Sequence, residues 1–106
     1  MLELSTHDVD LGTIEQGVTK HFQISVKNTS GTPITPRLSA SCGCTTPTLE
    51  PATVPAHGVS QLLVKFDTMG KQGFQSKNAY VNYTNNGNPI QLLLNFKANI
   101  HVKDQM

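Results

Sequence analysis

Hydrophobic and polar residues alternate with a period of two through most of this chain. Over residues 20–28, Phe22, Ile24 and Val26 are interleaved with Gln23, Ser25 and Lys27, the signature of a strand with one buried and one wet face. Leu62, Val64 and Phe66 repeat the pattern against Gln61 and Lys65. The longest run is the last, where Ile90, Leu92, Leu94, Phe96, Ala98, Ile100 and Val102 share one parity. Ile34, Leu38 and Ala40 continue a weaker strand over 34–40, in which Pro33 and Pro36 predict an irregular start or an edge position. Val9 and Leu11 predict a short first strand, with Gly17 supplying the turn after it. Over 74–83, Ala79, Val81 and Tyr83 form one face but Phe74 has the opposite parity, which predicts a bulge or a late strand entry near Gln75 or Ser76. Asn85-Asn86-Gly87-Asn88-Pro89 joins this strand to the last one and carries an Asn-Gly hairpin signal.

No stretch of ten or more residues shows helical periodicity. About seven short strands with regularly spaced turns predict an all-β, antiparallel Greek-key sandwich of immunoglobulin type. At 106 residues the chain accommodates one domain, 1–106. It has no tryptophan, and its two cysteines are too close in sequence to bridge two sheets. Its core therefore rests on Leu, Ile, Val and four Phe, with no sign of a cavity for a small-molecule substrate.

Charge excludes several function classes. Eight Lys and Arg face seven Asp and Glu, spread singly along the chain, so no basic stripe predicts nucleic-acid binding. No apolar run approaches the roughly 20 residues that membrane insertion requires. The first residues lack the basic and apolar segments of a secretion signal. Localisation is thus expected to be cytoplasmic synthesis with incorporation into a virion, or export from a bacterium if Met1 is not the native start.

Candidate chemistry is confined to Cys42-Gly43-Cys44-Thr45-Thr46-Pro47, which holds both cysteines. Two thiols one residue apart can share a soft metal ion, Cu or Zn, or close a small disulfide, or stand as unreactive side chains. Zinc normally takes four protein ligands, and no His or Cys follows at the spacing of zinc modules. His7, His21, His57 and His101 are scattered, so a third ligand must come from folding. A disulfide requires a bent backbone, because residues two apart span about 7 Å when extended while bridged α-carbons prefer roughly 5.5 to 6 Å; Gly43 permits the bend. Such a bond suits exchange better than stapling. Thr45 and Thr46 fit a strand edge, and Pro47 is expected to stop pairing.

No Ser, His and acid grouping and no carboxylate pair is visible, which predicts a non-enzymatic protein without a cofactor. Asn28-Thr29-Ser30 and Asn82-Tyr83-Thr84 match the glycosylation pattern by chance. Leu63 and Leu93 fall on the water-facing parity; if their strands are adjacent they form a small apolar interface. A free edge of the long last strand, or of the short first one, would offer a second docking route.

Leu11-Gly12-Thr13-Ile14, Gly17, the stretch from Phe22 to Asn28-Thr29-Ser30-Gly31, Ser41 with the Cys-Gly-Cys-Thr-Thr-Pro hexapeptide, Gly58, Val64-Lys65-Phe66-Asp67-Thr68, Gly73-Phe74 and Asn85 occur in that order. In this the chain resembles a bacterial immunoglobulin-like domain of unknown function marked by that hexapeptide, distantly similar to Hydin-type and major-sperm-protein-type domains. Leu11 stands where that family usually has Phe, and Ala56-His57-Gly58 replaces a usual Pro-Gly turn. The resemblance implies the sandwich and no reaction. Two function classes follow. The first is a structural or interaction module that docks, with a protein partner or as a homo-oligomer, onto a larger assembly such as a virion or a bacterial envelope. The alternative is a metal-binding or thiol-exchange domain using Cys42 and Cys44.

Overall fold

A computed structural model describes residues 1–102. Eight strands make up the architecture, with no helix among the described residues: β1 (Leu2–Leu4), β2 (Asp8–Glu15), β3 (Thr19–Asn28), β4 (Arg37–Ala40), β5 (Thr45–Glu50), β6 (Val59–Asp67), β7 (Gly73–Asn85) and β8 (Asn88–His101). They form two four-stranded sheets, ordered β1-β3-β6-β5 and β2-β8-β7-β4. Neighbours pair antiparallel except β2, which runs parallel to β8. The first segment of the chain therefore serves both sheets, β1 in one and β2 in the other.

The alternation read from sequence places the core between the sheets. Val26, Leu62, Val64, Phe66, Val81, Leu94 and Phe96 are almost fully buried, each large aliphatic contributing roughly 1.5 to 3 kcal/mol relative to exposure. Phe96 stands at the centre, with Phe22 and Phe66 against its ring edge-to-face at centroid distances of 5.3 and 5.2 Å. That geometry sets the positive edge of one ring against the negative face of another.

Several expectations change. The weak strand 34–40 is shorter: β4 begins at Arg37, and Ile34 makes only an isolated bridge to Val54, because Pro33 and Pro36 remove donors on either side of it. No bulge interrupts β7, whose register with β8 is continuous from Gly73 to Asn85. Phe74 simply points to solvent at 69% exposure. The irregularity lies instead in β2, between Asp10 and Thr13, where Gly12 adopts φ +72°, a conformation glycine tolerates without strain. Pro47 does not stop pairing; β5 continues to Glu50 along β6, since β5 is an edge strand on which a missing N–H can face solvent. The last strand is no edge, because β8 lies between β2 and β7. The hairpin expected from Asn86-Gly87 is present, with φ +52° and +80° at its two turn residues, the doubly positive pair that matches strand twist.

Candidate functional site

Three links meet at one end of the sandwich: the β2–β3 turn, the β4–β5 link holding the cysteines, and the β6–β7 link. Residues 41–44 are held there from both sides. Ser41 donates its N–H to Asn78 O at 3.0 Å and accepts the Asn78 N–H on Oγ at 3.0 Å. Cys44 O accepts the Asp67 N–H at 2.9 Å, and the Thr45 N–H closes the turn onto Cys42 O at 3.1 Å. Within this frame Cys42 and Cys44 form a disulfide, with α-carbons 5.2 Å apart, so the chain folds back at Gly43 as the spacing requires. The Cys44 N–H also donates to Cys42 Sγ at 3.1 Å, and Thr45 Oγ1 lies 3.7 Å from Cys44 Sγ. Both cysteines are half-buried. Cys44 packs against the core, and an added Cβ on Gly43 would meet no atom within 4 Å.

The histidines do not converge on this pair. His7 Nδ1 lies 3.2 Å from Leu93 O, while the His57 N–H donates to Ser30 O near the opposite end. Among the described residues, no three His, Cys, Asp or Glu side chains gather as ligands would. A Zn site would need both sulfurs as thiolates and further ligands beyond this pair.

Leu63 and Leu93 do not form the expected patch. They belong to β6 and β8, in different sheets, and so stand on opposite outer faces. Leu63 lies in a shallow open groove of about 540 Å³ with His21, Thr46, Thr48 and Lys65; Leu93 pairs with Tyr80 across β7. Parity gives a residue's face but not its sheet.

Sequence reasoning missed a more distinctive feature. β4 pairs with β7 only from Asn82 to Ala79, and β7 begins at Gly73. Residues 73–77 therefore have β8 on one side and, among the described residues, no strand on the other. The Asn78 N–H and C=O both point toward the β4 side, where Ser41 meets them. Backbone direction repeats every second residue, so the amides of Ser76 and Phe74 point to the same free side. In the link that leads from β6 into this strand, Met69 is 69% exposed. Comparing the lengths of the strand patterns over 34–40 and 74–83 would have exposed the overhang.

The two glycosylation-pattern asparagines have internal partners. Asn28 is fully buried, donating to Thr32 O at 2.8 Å and Val54 O at 3.1 Å and accepting from Ser30 N–H and Oγ–H. Asn82 donates to Arg37 O and Ser39 Oγ.

Residues 2–100 match the family described as Protein of unknown function (DUF1573). The chain belongs to this family. No match exists among curated proteins. Solved structures share the fold at low identity. The chain is similar to the ASH / PapD-like domain 7 of human CEP192, at TM-score 0.76 and 13% identity, covering 97% of this chain and 87% of that one. It is similar to a protein of unknown function from Porphyromonas gingivalis W83, at TM-score 0.76, 18% identity and 92% coverage, spanning 46% of that chain. It is also similar to the E. coli chaperone DraB, at TM-score 0.69, 12% identity and 92% coverage, spanning 54% of that chain. Identities this low establish a PapD-like, immunoglobulin-like sandwich and no activity.

Proposed function

We propose that this protein is a non-enzymatic interaction module that docks onto a larger assembly by accepting an extended segment of a protein partner along the free edge of β7. The assembly is a virion, in which the chain would be an accessory or decoration subunit, or a bacterial surface or envelope complex. Export or virion incorporation follows from which of the two it joins.

One observation carries the reading: residues 73–77 present an unpaired strand edge that includes the exposed Phe74. Unpaired edges otherwise invite aggregation, and proteins usually shorten, charge or cover them. This edge carries one charge, on Lys77. An added strand would bond to the backbone of Phe74 and Ser76, with affinity from main-chain groups and selectivity from side chains beside them.

Ser76→Pro tests this. It deletes an amide on the free side while leaving the β8 ladder in place, because the Ser76 and Lys97 pair points its amides outward. Partner or self-association, measured by pull-down from the native source and by analytical ultracentrifugation, should fall at least about tenfold, the equivalent of about 1.4 kcal/mol. The thermal transition should stay within a few degrees. Undiminished association in Ser76→Pro would remove the edge as the docking site, and a strict monomer with no partner in native material would remove the module reading itself.

A further inference from the structure

The geometry points to Cys42–Cys44 as an exchangeable disulfide that accepts two electrons from a dithiol of a partner polypeptide. A bond that closes three residues removes far less chain entropy than one closing a long loop, so it does little as a staple. The loop also has other anchors. Ser41 is tied to Asn78, Cys44 O to the Asp67 N–H, and the Thr45 N–H to Cys42 O. None of these needs the sulfur–sulfur bond. The two sulfurs are thus held side by side by the scaffold, in a half-buried position at one end of the sandwich, with open space over Gly43.

The two sulfurs are not equivalent. Cys42 Sγ receives the Cys44 N–H at 3.1 Å, and a hydrogen bond to sulfur favours the thiolate. Cys44 Sγ has only the Thr45 hydroxyl, at 3.7 Å, and packs on the core. The sulfur that already accepts a backbone N–H is the one whose departing electron pair is stabilised in place, which assigns Cys42 as the leaving sulfur and Cys44 as the sulfur attacked.

In the first step a partner thiolate attacks Cys44 Sγ. A bond forms between the partner sulfur and Cys44, the Cys42–Cys44 bond breaks, and its electron pair departs on Cys42 Sγ under the Cys44 N–H. The partner's second thiol then loses its proton to solvent and attacks the partner sulfur of the mixed disulfide, expelling Cys44 as a thiolate. Cys42 and Cys44 take up protons from water as pH requires. The partner dithiol is oxidised to a disulfide and the pair is reduced, one equivalent for one equivalent.

The test uses the full oxidised chain in glutathione buffers, quenched with acid, alkylated with N-ethylmaleimide and read by intact mass and fragment ions. The reduced fraction should pass from under a tenth to over nine tenths across about a hundredfold change in the ratio of squared reduced to oxidised glutathione, as a two-electron couple requires. The transient glutathione adduct should map to Cys44. A synthetic peptide with two cysteines two residues apart should lose two hydrogens per oxidised chain, and the Cys42→Ser/Cys44→Ser variant should oxidise none of it. Circular dichroism of reduced and oxidised chains should superimpose. A pair that stays oxidised at the most reducing ratio, or a fold lost in step with reduction, would overturn the proposal in favour of a structural bond. An adduct on Cys42 would overturn the assignment of the leaving sulfur. Because glutathione and a free peptide dithiol need no strand addition, these outcomes are independent of those for Ser76→Pro.

Discussion

The two ends of the sandwich are closed in different ways. At the end where the β7–β8 hairpin turns, the buried Asn28 amide connects the end of β3 to Thr32 and Val54 and holds Ser30 by both its N–H and its hydroxyl. The backbone completes the closure, with Asn28 N–H on Gly58 O and Thr29 N–H on Met1 O. At the other end Thr68 is the buried connector, reaching Val18 O at 2.6 Å and Glu15 O at 3.3 Å. Around it sit the Cys42–Cys44 disulfide, the overhanging edge of β7 and the exposed side chains of Val18, Met69 and Phe74. The first end is closed around one fully buried amide. The second joins its links through Thr68, the Gln16 side chain on Lys71 O and the Ser41–Asn78 and Cys44–Asp67 bonds, and presents exposed surfaces beside them.

This contrast predicts a ranking of mutational costs. Asn28→Ala should be the most destabilising, because it removes the four hydrogen bonds of a fully buried amide to Thr32 O, Val54 O and the Ser30 N–H and hydroxyl. Each such bond contributes about 0.5 to 1.5 kcal/mol. A loss of about 3 kcal/mol in urea unfolding is expected, with unchanged denaturant dependence. A loss under about 1 kcal/mol would show that the hairpin end is held by backbone alone.

Thr68→Val comes next. It keeps shape and burial but removes one hydroxyl proton shared between two carbonyls, and should cost about 1 to 2 kcal/mol by the same measurement. If it matched Asn28→Ala, the two ends would be equally dependent on a buried polar group and the contrast would fail.

How much of this was legible in the sequence depends on length of contact with the opposite sheet. β3, β6 and β8 cross the whole core, so their apolar parity is long and unambiguous. β1 has only Leu2, Glu3 and Leu4, too few residues for a period of two to stand out. The inward positions of β5 are Thr45, Pro47 and Leu49, a set that resembles a loop in composition. The bulge expected near Gln75 assumed that every large apolar residue on a strand must face inward. Phe74 lies beyond the last residue β4 covers, where facing outward removes nothing from the core. The cysteine pair was visible as candidate chemistry. The hydrogen bonds that distinguish its two sulfurs depend on the path of the link from β4 to β5, which alternation does not encode. The same limit separated Leu63 from Leu93, because facing is periodic and sheet membership is topological.

The smallest expected effect is the one that bears most directly on the open end. Phe74 is 69% exposed and pairs with Asn99 on a face that solvent already reaches, so Phe74→Ser should alter stability by no more than about 0.5 kcal/mol, as for surface positions generally. Its backbone nevertheless lies on the free edge, while its side chain shares an outer-face groove with Thr13, Lys97 and Asn99, a surface that side chains of an added strand could reach. If docking uses that edge, association should weaken in Phe74→Ser while unfolding does not change. A parallel loss of stability would mean that Phe74 supports the β7–β8 hairpin itself, and the end now described as open would have to be regarded as partly closed by its own aromatic side chain.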